Sequence, residues 1–178
     1  MKVVFLDVDG VLNAGRRVTR GTLGFNLIDW VLPHPLHHIN AIARITGAKF
    51  VISSCWRVGR TLKELRQMFA EVGFMGDIIG KTEQGPCAWH KARGFEECYQ
   101  GHRGAEIADW IRNHHAVYAG QPEQVVEAYA ILDDDSDMGG EREHFVQTAY
   151  DRGLTRKERD KVVEILGKLD AQDPVRQG

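Results

Sequence analysis

Two short apolar runs in this chain each end in a cluster of acids, and no other feature constrains its fold as much. KVVFLDVDG at residues 2–10 ends in Asp7 and Asp9; EAYAILDDDSD at 127–137 ends in Asp133, Asp134, Asp135 and Asp137. Apolar, β-branched runs of this length bounded by turn formers read as buried strands. We expect strands over 2–8, 48–54 (AKFVISS) and 127–134, a fourth over HFVQTA at 144–149, and a short one at DIIG, 77–80.

Helical periodicity fills the intervals. Residues 36–46 (LHHINAIARIT) put Leu36, Ile39, Ile42 or Ala43, and Ile45 or Thr46 on one stripe, ended by Gly47. Residues 60–72 face Leu62, Leu65, Met68, Phe69 and Val72 inward, and 104–114 offer Ile107, Trp110 and Ile111. In the last helix Thr155 and Glu158 form a capping box ahead of Val162, Ile165, Leu166 and Leu169. Strands alternating with helices imply an α/β three-layer sandwich around a central, mostly parallel sheet. Residues 1–170 form one domain on this reading, with a Gly- and Arg-rich flap at 11–34, irregular sequence over 76–104 and a frayed tail at 171–178.

In a parallel sheet the carboxyl ends of the strands share one edge, so Asp7, Asp9, Asp133 and Asp134 converge there. Crowded carboxylates repel unless a cation neutralises them or some keep their protons. Hard oxygen ligands at this density suit magnesium, which keeps several waters and takes one or two carboxylates with a substrate phosphate. A calcium loop starting at Asp133 would need Gly at its sixth position and Glu at its twelfth; the chain has Met138 and His144. The strand between the acidic ones ends in Ser53-Ser54-Cys55-Trp56-Arg57, where a hydroxyl can hold a phosphoryl oxygen and an Arg can bind phosphate through two N–H groups.

VVFLDVDGVLN, FVISSCWR and YAILDDDSDM, in that order, resemble motifs one, two and four of the haloacid dehalogenase (HAD) superfamily of phosphohydrolases, over roughly residues 2–149. RGAEIADWI and HFVQT…GLT bring the chain nearest to the small phosphatase domains of bacterial RNA-repair proteins, which are similar to polynucleotide end-phosphatases. The resemblance implies a HAD-type Rossmann-like fold with a minimal cap or none, and a magnesium-dependent phosphomonoester hydrolase. It implies Asp7 as nucleophile and metal ligand, Asp9 as general acid/base at the metal site, and Ser53 as phosphoryl-oxygen binder. Asp133 and Asp134 would be metal ligands, with Asp135 or Asp137 acting through water; the register of that acidic run stays open. The third motif wants a cation ahead of the helix preceding the acidic strand; Arg103 is our choice, with Lys81, Lys91 and Arg93 as competitors. Gly10, Ser54, Trp56 and Arg57 are the expected substrate contacts.

Asp9 also selects the reaction. A halide leaves without a proton, whereas an alkoxide needs one, so an acid two residues after the nucleophile favours phosphoesters. A small cap would leave room for a nucleotide or polynucleotide end, and Arg16, Arg17, Arg20, Arg57 and Arg60 could form a positive rim. The alternatives are a small-metabolite phosphatase and a non-catalytic relative that binds phosphate or nucleic acid. With 23 Lys and Arg against 25 Asp and Glu, the net charge of -2 excludes a histone-like basic coat. No apolar stretch reaches membrane-spanning length, the N-terminal apolar run is too short for a signal peptide, and three Cys without a CxxC pair indicate neither disulfides nor a zinc ribbon. We therefore expect a cytoplasmic protein, with nothing to indicate a membrane or an obligate protein partner. His37-His38 and His114-His115 lack a third ligand at zinc spacing. Of the tryptophans, Trp110 is expected in the core, and Trp30 and Trp89 are further candidates for base stacking.

Overall fold

In the computed structural model the chain builds a five-stranded, all-parallel sheet in the order β3-β2-β1-β4-β5. The structure describes residues 1–15, 30–83, 103–136, 138 and 142–167. The strands are β1 (Lys2–Leu6), β2 (Lys49–Ile52), β3 (Asp77–Lys81), β4 (Ala128–Asp133) and β5 (Phe145–Gln147); the helices are α1 (Pro33–Thr46), α2 (Leu62–Glu71), α3 (Arg103–Val117) and α4 (Arg156–Gly167). This is the α/β sandwich expected from the alternating pattern.

Successive side chains of a strand point to opposite faces, which divides the core in two. Val4 and Leu6 of β1, Phe50 and Ile52 of β2, and Leu132 of β4 pack with Ile39 and Ile42 of α1, Leu65 and Phe69 of α2, and Val162 and Leu166 of α4. On the other face Val3, Phe5, Val51 and Ile131 meet Ile107 of α3 and Met138. Helices thus cover both faces, which is why the strands are apolar throughout instead of alternating.

The ends of the elements differ from expectation in instructive ways. α1 begins at Pro33, inside the stretch expected as a flap, because proline is well tolerated in the first turn, where its missing N–H would be unpaired anyway. Its other end is as expected: Gly47 at φ +65 donates its N–H to the Ala43 carbonyl. Ile45, a candidate for the inner stripe, is 54% exposed. α2 has a full capping box, Thr61 with Glu64. At α4 the Thr155 N–H donates to Glu158, while the Thr155 hydroxyl accepts from the Lys157 N–H. Both acidic strands end earlier than expected: β1 at Leu6, before its acids, and β4 at Asp133, the first of its acids, so Asp7, Asp9 and Asp134 sit in the turns that follow. Of the expected features, Arg16, Arg17, Arg20, Trp89, Lys91, Arg93, Asp137, the 171–178 tail and most of the 11–34 flap lie outside the described residues. No helix among the described residues is long and apolar enough to cross a membrane.

Candidate active site

Each strand hands its hydrogen-bond ladder one residue further, and that carries the site residues onto the sheet edge. Asp7 donates its N–H to Leu132 O (2.9 Å), Ser53 to Leu6 O (3.0 Å), Thr148 to Asp133 O (2.9 Å) and Thr82 to Ile52 O (3.0 Å). One carboxylate oxygen from each of Asp7, Asp133 and Asp134 lies within 4.8 Å of the others, a group that could hold a metal ion. Asp7 and Asp133 are buried and Asp134 half-buried.

The cost of crowding three carboxylates shows in their acidities. Burial raises Asp7 above the carboxylate range, with Asp9 adding to the rise, while Arg103 and a hydrogen bond from Ser54 pull it back. Burial and then the Asp7 charge push Asp133 up to about 8, and the same two causes push Asp134 up to about 6. Asp133 Oδ1 accepts the Asp135 N–H, whereas its buried Oδ2 has no hydrogen-bond partner. An all-oxygen donor set with a buried carboxylate oxygen that no hydrogen bond among the described residues satisfies fits a hard divalent cation.

Arg103, the first residue of α3, crosses the sheet edge to these acids. Its Nη1 lies 3.2 Å from Asp7 Oδ1 and also donates to the Ser53 carbonyl, and its Nε lies 3.4 Å from Asp133 Oδ2. Gly104 makes that approach feasible, because a Cβ there would stand 2.1 Å from the Met138 carbonyl oxygen. Lys81, a competitor for the role, instead donates its Nζ to Arg60 O at 2.8 Å. Ser53 Oγ is fully buried and unpartnered, a hydroxyl free to meet an incoming oxygen.

Asp9 stands apart. Its carboxylate is outside the metal-competent group, a departure from the expectation that it would help to ligate. The strand ends at Leu6, so Asp7 and Asp9 do not share a strand face. Asp9 Oδ1 accepts from Asn13 Nδ2 and, at 3.0 Å, from Trp56 Nε1; among the described residues Oδ2 receives only the Cys55 thiol, at 3.4 Å. Desolvation and the charges of Asp9 and Asp7 push that thiol up to about 11, which leaves Cys55 protonated and a poor nucleophile.

The geometry places three of the expected substrate contacts against protein partners. Arg57 is only 5% exposed, and its guanidinium donates to Thr82 O (2.7 Å), Ser53 O and Ser54 O (2.8 Å each) and Glu106 Oε2 (2.6 Å), so it ties β2, β3 and α3 together and has no fork left for phosphate. Trp56 is buried, with its indole N–H on Asp9 in place of a ring presented to a base. Gly10 gives its N–H to Asn13 Oδ1 and its carbonyl to Thr148 Oγ1 (2.8 Å); its φ of +71 and a Cβ position 2.4 Å from Asp134 Cγ make it the residue that lets Asp134 close in. Ser54 caps the short turn Cys55–Arg57, accepting the Trp56 N–H, and bonds Asp7. Asn13 and Glu106 were not singled out in the sequence: one sits inside a recognised motif and the other on a helix whose inner face was read from apolar residues alone.

The chain is a parallel α/β sandwich with three carboxylates gathered at one sheet edge, and one comparison gives its family. Residues 3–159 match the family described as the HAD domain in Swiss Army Knife RNA repair proteins. The chain belongs to that family. No curated protein and no solved structure matches it. As a HAD domain it carries a phosphatase-type fold with a carboxylate cluster able to take a metal ion.

Proposed function

We propose that this HAD domain is a magnesium-dependent phosphomonoester hydrolase that removes a phosphoryl group from an RNA end through an aspartyl-phosphate on Asp7. The observation that carries the reading is the division of carboxylates at the sheet edge: Asp7 shares a cation-competent group with Asp133 and Asp134 and touches Arg103, while Asp9 is held outside that group by neutral donors.

On this reading Asp7 attacks phosphorus, forming an O–P bond as the bond to the leaving oxygen breaks. The departing electron pair goes to that oxygen, which takes the proton of Asp9. Water then attacks the phosphorus of the acyl phosphate and gives its proton to Asp9, so inorganic phosphate leaves and both carboxyls are restored. Ser53 Oγ and the Arg103 guanidinium hold phosphoryl oxygens; Arg103 can do so because it already faces Asp7. A magnesium ion bound by Asp7, Asp133 and Asp134 would supply Lewis-acid charge neutralisation. The substrate class rests on the RNA-repair description of the family.

Inorganic phosphate release tests this. The substrates are oligoribonucleotides phosphorylated at the 3′ or the 5′ end, mononucleotides, sugar phosphates and an aryl phosphate, each with magnesium and with chelator. Magnesium-dependent release that favours an oligonucleotide and is abolished in Asp7→Asn is expected. Release that survives Asp7→Asn would overturn the mechanism, and equal or better turnover of a sugar phosphate would overturn the substrate class.

A further inference from the structure

Asp9 is held by an arrangement that treats its two oxygens differently. Oδ1 accepts two N–H donors, from the Asn13 amide and the Trp56 indole, one on the turn after β1 and the other on the turn after β2. Among the described residues Oδ2 faces only a thiol at 3.4 Å, a weak donor. Asn13 is itself fixed, because its Oδ1 accepts the Gly10 N–H at 2.9 Å, which sets which end of the amide points at Asp9. Asn13 is fully buried and Trp56 nearly so, so neither donor is traded for water.

Two donors on one oxygen occupy its lone pairs and hold the carboxyl plane, so an exchangeable proton can reside only on the other oxygen. We propose that Asn13 and Trp56 are positioning residues that lock the Asp9 carboxyl with Oδ2 alone presented for proton delivery to the leaving oxygen. This rests on the phosphatase reading above and adds to it which oxygen acts and what orients it. It also gives Trp56, expected as a substrate contact, a role through Asp9 instead. Hydrogen-bonded supports of this kind keep a catalytic group within the narrow angular range that proton transfer demands.

The test uses the leaving group. A nitrophenolate departs without a proton, whereas a ribose or alkyl oxygen needs one, so a misplaced general acid harms the second far more. Trp56→Phe removes one donor and keeps a ring. Asn13→Asp keeps the acceptor for Gly10 and replaces the donor to Asp9 by a like charge. The quantity compared is kcat/KM, which covers only the steps through departure of the leaving group, for a phosphorylated oligonucleotide and for nitrophenyl phosphate. Unfolding midpoints of each variant report folding separately. Each variant should lose about tenfold more on the oligonucleotide than on the aryl ester, a part of the roughly 10²–10⁴-fold that general acid catalysis contributes, and Asp9→Asn should show the same preference at larger size. Equal losses on both substrates in the two positioning variants, with Asp9→Asn still discriminating, would overturn this inference alone. An Asp9→Asn variant that itself shows no preference would overturn the general-acid assignment and this inference with it.

Discussion

Replacing Gly10 by Ala tests how tightly the acidic edge is built, and Gly47→Ala is its internal control. Both glycines sit at positive φ, +71 and +65, so both substitutions incur the left-handed penalty of about 1–2 kcal/mol. At Gly47 a Cβ would meet nothing within 4 Å, so that penalty is the whole effect. At Gly10 it would stand 2.4 Å from Asp134 Cγ, 2.6 Å from its Oδ2 and 2.7 Å from its Cβ. Ordinary carbon contacts are about 3.5 Å or more, so Asp134 must retreat by about 1 Å.

Overpacking of that kind adds about 1–3 kcal/mol, and each kcal/mol lowers Tm by roughly 2–4 °C in a chain of this size. The retreat also moves one of the three carboxylates away from the other two, so the magnesium concentration for half-maximal activity should rise about tenfold or more, by analogy with the loss of a group that orients a metal ligand. Thermal unfolding in chelator and a magnesium titration of phosphate release measure the two effects. Gly47→Ala should lose a little stability and keep its magnesium response. If the two variants behave alike in both assays, Asp134 is not held where the geometry puts it.

Two further outcomes follow from buried charge. In chelator, stability should fall as pH rises from 7 to about 8.5. Asp133, pushed up to about 8, keeps its proton in the folded state while the unfolded chain has already lost it, so its stabilising contribution disappears as pH passes through the folded value, with a slope of up to about 1.4 kcal/mol per pH unit. His38 and His114, lowered mainly by burial, act in the opposite sense but below their ordinary 6.5, which is why the window starts at 7. Magnesium should flatten the slope, and a rise in stability over that window in chelator would refute the assignment. Arg57→Met should cost about 3–5 kcal/mol in urea unfolding, because it removes the donor to half-buried Glu106 and to the Thr82 and Ser54 carbonyls and one of the two donors to the Ser53 carbonyl. Adding Glu106→Gln should recover part of that, whereas an Arg57→Met protein of normal stability with a raised KM would restore the phosphate-contact role.

The fold and the acidic half of the site were legible because each rests on a local signal. An apolar run into DxDG, and another into DDDxD, declares both a buried strand and what emerges at its end. Arg103 could be chosen because it stands just ahead of the helix that precedes the acidic strand, where the resemblance asks for a cation. What was not legible depends on long-range partners. Beside two serines, Arg57 has the composition of a phosphate clamp, and only Glu106, brought from 49 positions away, together with the Thr82 carbonyl of the neighbouring strand, draws it inward. Trp56 was misread for the same reason: whether an indole faces substrate or a neighbouring loop depends on a turn in a different strand crossover. Pro33 and Pro35 read as loop residues by composition, although the first turn of a helix accepts them.

The separation of Asp7 from Asp9 follows from where β1 stops. Had the strand run to residue 8, as its apolar pattern allows, Asp7 and Asp9 would have left it on the same face, two residues apart, and both would have entered the carboxylate group. A fourth carboxylate there would raise the cost of burial already visible in Asp133 and Asp134, and it would place the proton donor where a cation suppresses protonation. Ending the ladder with the Asp7 N–H and turning through Gly10 instead sends Asp9 toward Trp56 and Asn13, whose donors are neutral. The same glycine lets Asp134 approach Asp7. One backbone reversal therefore gathers three carboxylates at one point of the sheet edge and carries Asp9 away from them.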